Sequence, residues 1–390
     1  MNPDKSHWPR VKFGDVVHLN TNRCADPVAA GIERYVGLEH IEPKDLLIRS
    51  WGLVEEGTTF TNRFRPGQVL FGKRRAYQRK VAVADFEGIC SSDIYVFEPK
   101  DDRLLPELLP FLCQTESFYE HAVGTSAGSL SPRTNWSQLA NYEFTLPPLE
   151  EQRRIAKMLL VVEEAKDSYY DLRSQSAKLL DSTQEKVFRN LLETSSVPKR
   201  YLGELLAVPI ANGIFRKREQ FGKGIPLINV TDIYKSFRIE TGELELVPVS
   251  EREYSRFSAM PNDVIFNRSS LVLAGIGYAA LVPVTRHEMV FDCHLMRARP
   301  NPDLLFGPYL ARFAVSIYGR QHFLSRAQTT TMTTIGQSDL AELTIPCPDL
   351  STQIMITEQL DNTQASATWV EQRMHSLDIV KRSLLLCLEN

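Results

Sequence analysis

Five cations fall within eight residues at Lys73-Arg74-Arg75-Ala76-Tyr77-Gln78-Arg79-Lys80, and no acidic residue occurs between Glu56 and Asp85. The stretch joins two strand-like runs, 69–71 and 80–84, so its spacing predicts an exposed loop or hairpin tip. Such a loop offers cations to phosphate oxygens, while arginine and Gln78 can pair bidentately with guanine and adenine edges. A second basic cluster holds Arg216, Lys217 and Arg218, and Asn267-Arg268-Ser269-Ser270 follows a second Val-Ile-Phe strand. Two hydroxyl-rich runs, 124–133 and 329–334, add Thr125, Ser126, Arg133, Thr330 and Thr331. Hydroxyls and backbone N–H groups in such loops suit phosphate positioning. Each feature alone also describes a solvated hairpin or an ordinary loop. Their recurrence at matching places in the two halves favours nucleic acid.

Catalytic signatures are missing. The sequence contains no Gly-x-x-x-x-Gly-Lys-Ser/Thr, no His-Glu-x-x-His, no Gly-x-Ser-x-Gly and no Asn/Asp-Pro-Pro-aromatic tetrad. Gly275-Ile276-Gly277 lacks the third glycine of a dinucleotide fingerprint. The eight histidines do not cluster at ligand spacing, and Cys293-His294 and His40 read as core or surface residues, so no metal is expected. The six cysteines form no CxxC pair and read as reduced thiols.

The elements that must position the candidate loops come in two copies. Residues 8–16 lie over 197–205, 66–71 over 261–266, and 149–152 over 350–353, at offsets that grow from 189 to 201. Loop insertions in one copy produce that drift, and a period this long indicates a duplicated domain rather than a solenoid. Each copy predicts an α+β globular part of short strands with helices near 104–121 or 304–326, followed by one long helix. The expected divisions are 1–147, 148–196, 197–347 and 348–390. The first helix follows Pro147-Pro148 and carries Ile155, Met158, Val162, Ala165, Tyr169, Leu172, Leu179, Val187 and Leu191. The second carries Ile356, Leu360, Thr363, Ala367, Val370, Met374, Leu377, Leu384 and Leu388, interrupted at Lys381. These stripes predict an antiparallel coiled-coil pairing within the chain; the alternative packs each helix on its own globular half.

At 390 residues and 43% apolar content, the chain has material for two or three domains. Its formal net charge is −3, so any nucleic-acid contact must come from local patches. The opening MNPDKSHWPR lacks an apolar signal core, and no apolar run is long enough for a membrane span. A cytoplasmic location without membrane contact is therefore expected.

The run Leu146-Pro147-Pro148-Leu149-Glu150-Glu151-Gln152-Arg153-Arg154-Ile155-Ala156 resembles the Leu-Pro-Pro-x-x-Glu-Gln-x-x-Ile lead-in to the central helix of the specificity (S) subunit of Type I restriction–modification systems. The strand followed by an Arg/Lys loop and the Trp-Pro-x-x-x-x-Gly-Asp opening fit as well. In the second half, Ile345 to Gln353 adds one residue and replaces the usual Glu by Thr352. The resemblance covers nearly the whole chain. It implies two pseudo-symmetric target recognition domains, each reading half of a bipartite, asymmetric double-stranded DNA target. The paired helices would set the spacing and dock two methyltransferase subunits, through Gln152, Ile155, Leu159, Gln353, Ile356 and Leu360. S-adenosylmethionine is expected on those partners and no cofactor on this chain, which would be non-catalytic. Restriction subunits would complete the nuclease; the alternative is a related methylation-based phage-defence system without one.

Overall fold

The computed structural model describes residue 5 and residues 7–329 and 331–389. The chain divides into two compact units. The first contains residues up to Asp171 together with Val370 onward; the second is Leu172–Trp369. The expected divisions put each long helix in a separate segment, whereas the compact units cut both helices and give each unit one half of each.

Both units carry the same sheet plan. In the first, Val17–Asn20, Ile94–Pro99, Val69–Gly72 and Val81–Val83 form one antiparallel sheet in that order. A second sheet runs Gly52–Leu53, Arg34–Val36, Gly88–Cys90, Asn62–Phe64, with one parallel pairing, Tyr35 opposite Ile89. The second unit repeats this as Leu206–Asn212, Leu295–Pro300, Val264–Asn267, Ala279–Leu281 and as Glu245–Val247, Ile225–Ile228, Met289–Phe291, Ser258–Ala259. Its parallel pairing, Leu227 opposite Val290, falls at the matching place.

Local chemistry explains the repeated punctuation. Gly67 (φ 85°) and Asn262 (φ 69°) follow Pro66 and Pro261 in turns closed by Gln68 N–H to Arg65 O and Asp263 N–H to Met260 O. A proline followed by a residue at positive φ is the signature of a type II turn, which aims the next strand. Gly14 and Gly203 admit close packing: a Cβ would stand 2.8 Å from Ala140 Cβ in one unit and 3.3 Å from Ala341 Cβ in the other.

The short helices expected near 104–121 and 304–326 come as a pair in each unit. Thr115 caps Glu116–Gly124 after Leu109–Leu112, and Ser316 caps Ile317–Arg326 after Gly307–Val315. The long helices run Leu149–Glu193 and Leu350–Leu385. Prolines precede each, and neither contains Gly or Pro. In the first unit, Ile155, Ala156 and Leu159 share a core with Phe13, Phe71, Phe118 and Leu388. Glu163 pairs with Lys381 at 2.7 Å, and Lys166 with Asp378 at 2.8 Å, so the two helix segments run antiparallel there. In the second unit, Phe188 shares a core with Ile356, Leu360, Tyr309 and Phe313.

Candidate nucleic-acid interface

The cationic loop splits into two parts with different partners. Lys73, Arg74 and Arg75 continue the Val69–Gly72 strand and meet the 125–133 loop. Arg75 N–H donates to Pro132 O at 2.7 Å, and Thr134 N–H donates to Lys73 O at 3.0 Å. Asp93 grips two arginines at once: Arg74 Nη1 lies 3.1 Å from Oδ2, and Arg133 Nε lies 2.8 Å from Oδ1. Ser131 Oγ accepts from Arg74 Nη2 at 3.0 Å and from Arg75 Nη2 at 3.2 Å. Lys73 Nζ stands 4.5 Å from the Tyr95 ring centroid. Arg75 and Arg79 both have left-handed φ (53° and 57°) around the 3-10 turn Ala76–Gln78. Non-glycine residues there carry backbone strain, which persists where surrounding structure holds it.

Charge in this cluster is tuned by burial and pairing. Burial alone pushes the Asp93 carboxyl up, but hydrogen bonds from Arg133 and Arg74 outweigh it and hold the group below the usual aspartate range. Its contribution to stability is therefore fully present above the ordinary aspartate value, 3.8, and is lost as pH falls through the lowered folded value. Burial also holds Lys73 below the usual lysine value. Arg74 Nε and Arg75 Nε are buried with no hydrogen-bond partner among the described residues.

Other expected contacts are diverted inside the chain. Arg79 Nη1 is bonded to Glu116 Oε2 at 2.6 Å, and Lys80 Nζ donates to Leu38 O at 2.6 Å, so both leave the Arg74 cluster. Gln78 is half-buried in the 3-10 turn. The Thr125 and Ser126 hydroxyls donate to His121 O and Ala122 O, each at 2.7 Å, finishing the preceding helix rather than pointing toward a phosphate.

The second unit uses the same frame with different side chains. Arg268 N–H donates to His294 O at 3.0 Å and Ile335 N–H to Arg268 O at 3.1 Å, matching Lys73 with Asp93 and Thr134. Where Arg74 meets Asp93, Ser269 Oγ lies 3.0 Å from His294 Nδ1. Ser269–Ser270 pairs with Thr333–Thr334, which pairs with Gln328–Thr329, so the threonine run is a hairpin beside this edge. Thr331 is exposed at its tip, and Thr330 lies outside the described residues.

Asn267 is a correction. It is wholly buried, donating to Tyr234 Oη at 2.6 Å and to Gly275 O at 3.1 Å, so it braces the strand end and reaches no solvent. Arg216 is another: its guanidinium is held by Pro248 O and by Glu253 at 2.8 Å, with its side chain 11% exposed. Lys217 is exposed, and Arg218 is largely exposed beside Glu245.

The six helix residues expected to dock partners are also corrected. Gln152, Ile155, Leu159, Gln353, Ile356 and Leu360 are all buried within their own units. The apolar residues these helices leave exposed include Val161, Leu179, Met355 and Ile379.

The family model for the Type I restriction modification DNA specificity domain matches residues 5–168 and 196–375. The chain belongs to that family. Its two matched segments cover both copies of the duplicated fold. Over 267 residues it is 23% identical to the Type I restriction enzyme EcoKI specificity subunit of Escherichia coli (strain K12), covering 64% of this chain and 57% of that one. Over 211 residues it is 25% identical to the EcoDI specificity subunit of Escherichia coli, covering 52% and 43%. The matched region thus spans about half the length of these curated relatives. The fold is similar to that of the S subunit of a Type-I restriction-modification system from M. genitalium, with a TM-score of 0.62, 14% identity, and 100% of this chain and 98% of that one covered. A chain from a structural study of complex assembly and conformational transition of the type I R-M system gives a TM-score of 0.58 at 21% identity, covering 100% and 99%.

In this family member, sequence reasoning missed Asp93, Ser131 and His294. Ser131 lay inside the hydroxyl-rich run. Asp93 and His294 occupy matching positions at the 201-residue offset, so extending the repeat alignment through the strand before Ile94 and Leu295 would have found them. The structure also gathers Asp292, Cys293 and His294, whose ligand-type atoms lie within 4.8 Å of one another. Arg268 Nη1 donates to Cys293 O at 3.4 Å, placing a cation beside that group.

Proposed function

We propose that this chain is the non-catalytic DNA-reading subunit of a Type I restriction–modification complex, with each unit reading one half of a bipartite, asymmetric double-stranded target. One observation carries the reading. The edge at Lys73–Arg75 and the edge at Arg268–Ser270 share a backbone frame but present different side chains. A repeated frame with altered side chains suits two half-sites of different sequence. Two methyltransferase subunits, which hold S-adenosylmethionine, dock on the exposed apolar residues of the long helices, and restriction subunits join that assembly.

Methylome sequencing tests the reading. Deleting the gene removes a bipartite adenine motif, and the intact gene restores it. In the assembled complex, Arg74→Ala with Arg133→Ala weakens target binding by about tenfold to a hundredfold at physiological salt and lowers the salt slope. A motif that survives deletion, or target binding unchanged by the double variant, sinks the reading.

The ruler role has its own test. The first long helix has 45 residues, about 68 Å at 1.5 Å rise. Matched four-residue insertions or deletions near 171–175 and 366–370 should change the gap between half-sites while preserving their bases. Methylomes keeping the wild-type gap would remove the spacer role and leave the reading role standing.

A further inference from the structure

We propose that Asp93 is a positioning residue for target discrimination: its carboxylate holds Arg74 and Arg133 in one fixed array for base reading, with Ser131 locking Arg74 and Arg75 beside it. This rests on the proposed reading of the first unit's edge and deepens it.

The geometry carries the inference. Asp93 is fixed by the strand, because its own carbonyl accepts from Lys73 N–H at 3.0 Å. Its side chain is 14% exposed, and its two oxygens accept from different arginines brought from different loops. Ser131 then accepts from two guanidinium groups. Free arginine side chains lose considerable rotamer freedom when they grip a base. Here that freedom is already removed by acceptors belonging to the protein, which leaves other guanidinium N–H donors for a base edge or phosphate.

An acid at a DNA-facing edge also repels phosphate. Its presence therefore weakens sequence-independent attraction while sharpening geometry. A residue that only supported the fold would not separate these two effects. The second unit's matching place holds His294 and Ser269, so this charged clamp belongs to one half-site reader only.

The test uses Asp93→Asn in the complex with its methyltransferase subunits. The probes are a duplex bearing the motif from the host methylome, single-base variants of each half-site, and a 40-bp duplex without the motif. Asn keeps the shape but loses the charge and the second strong acceptor. Affinity for the motif-free duplex is expected to rise about threefold, with a steeper salt dependence. Discrimination is expected to fall about tenfold at the half-site whose reading Arg74→Ala impairs, and to stay unchanged at the other. Ser131→Ala, an uncharged change in a surface loop, should lower discrimination at that same half-site without raising motif-free affinity. It decides the matter alone if Asp93→Asn fails to fold. Discrimination within twofold of wild type in Ser131→Ala and in any folded Asp93→Asn overturns the clamp, as does a parallel loss of target and motif-free binding in Asp93→Asn. If Arg74→Ala with Arg133→Ala leaves target binding intact, the interface itself is wrong and the clamp falls with it. A normal arginine effect with no Asp93 or Ser131 effect removes only the clamp.

Discussion

Lys381→Met should destabilise the first unit by about 3–5 kcal/mol, read at that unit's transition in thermal or denaturant unfolding. The Lys381 side chain is 7% exposed and its partner Glu163 15%, with Nζ 2.7 Å from Oε1. Removing the lysine leaves a carboxylate in the helix seam with its counter-charge gone. The double variant Lys381→Met, Glu163→Leu should recover most of the loss, because a packed apolar pair of similar volume avoids the desolvation of both ions. A double-mutant cycle isolates the coupling. Burial holds Lys381 below the ordinary lysine value, although Glu163 pulls it back toward the charged form. The unfolded chain therefore retains this proton at pH values where the folded chain has begun to lose it. This residue's contribution to stability accordingly rises with pH between the lowered folded value and 10.5. A neutral Lys381→Met, or a double variant no better than the single, would show that the pair does not share the seam. The second unit has a comparable buried cation: Arg312 of the Gly307–Val315 helix, 3% exposed in its side chain, is bonded to Asp361 on the second long helix and stacks 3.8 Å from the Phe237 ring centroid.

Lys381 also shows where sequence reading succeeded and where it stopped. The heptad steps of the second helix predict a seam of nine residues, of which Ile356, Leu360, Val370 and Leu388 are buried and Thr363, Ala367, Met374, Leu377 and Leu384 half-buried. Lys381 looked like a gap because its partner, Glu163, is remote in sequence. On the first helix the expected stripe holds only at the start: Ile155 and Val162 are buried and Met158 and Ala165 half-buried, but Leu172 is 41% and Leu179 58% exposed, while Leu159, one position beyond Met158, is buried. The helix carries two apolar stripes, one turned inward and one outward, and a periodicity argument cannot choose between them when the inward one contains Lys166 and Gln184. The duplicated α+β plan, the proline lead-ins and the turn at each Pro-x-x-Val run were legible because they rest on local rules. The fates of Arg79, Lys80, Arg216 and Asn267 were not. Glu116, Leu38 O, Pro248 O and Tyr234 are tertiary partners, and a cation's type says nothing about whether the fold has already claimed it.

Gln152→Ala and Gln353→Ala should each cost about 3–4 kcal/mol, the first in the first unit and the second in the second. Both amides are buried, and both make the same set of bonds. Gln152 Oε1 accepts from Leu105 N–H at 2.9 Å, while Nε2 donates to Arg103 O at 2.7 Å and Pro147 O at 2.8 Å. Gln353 Oε1 accepts from Phe306 N–H at 2.9 Å, while Nε2 donates to Leu304 O at 3.1 Å and Pro348 O at 2.9 Å. Truncation strands one donor and two acceptors in each case, and buried backbone groups without partners are more expensive than the bonds themselves are favourable. The two losses should add, since the bond sets share no member. Amide hydrogen exchange gives the sharpest readout: Leu105 should lose protection only in Gln152→Ala, and Phe306 only in Gln353→Ala. Unchanged protection at those amides would mean the glutamines do not hold the joint. The glutamine that follows each proline lead-in, Pro147-Pro148 or Pro346-Cys347-Pro348, is therefore a rivet between a globular body and its helix, which accounts for its presence in both copies although its neighbour changes from Glu151 to Thr352. On the proposed reading, a lobe freed at that joint keeps its DNA-contacting edge but loses its fixed bearing on the helix. Either variant should therefore blur the gap between half-sites before it blurs their bases.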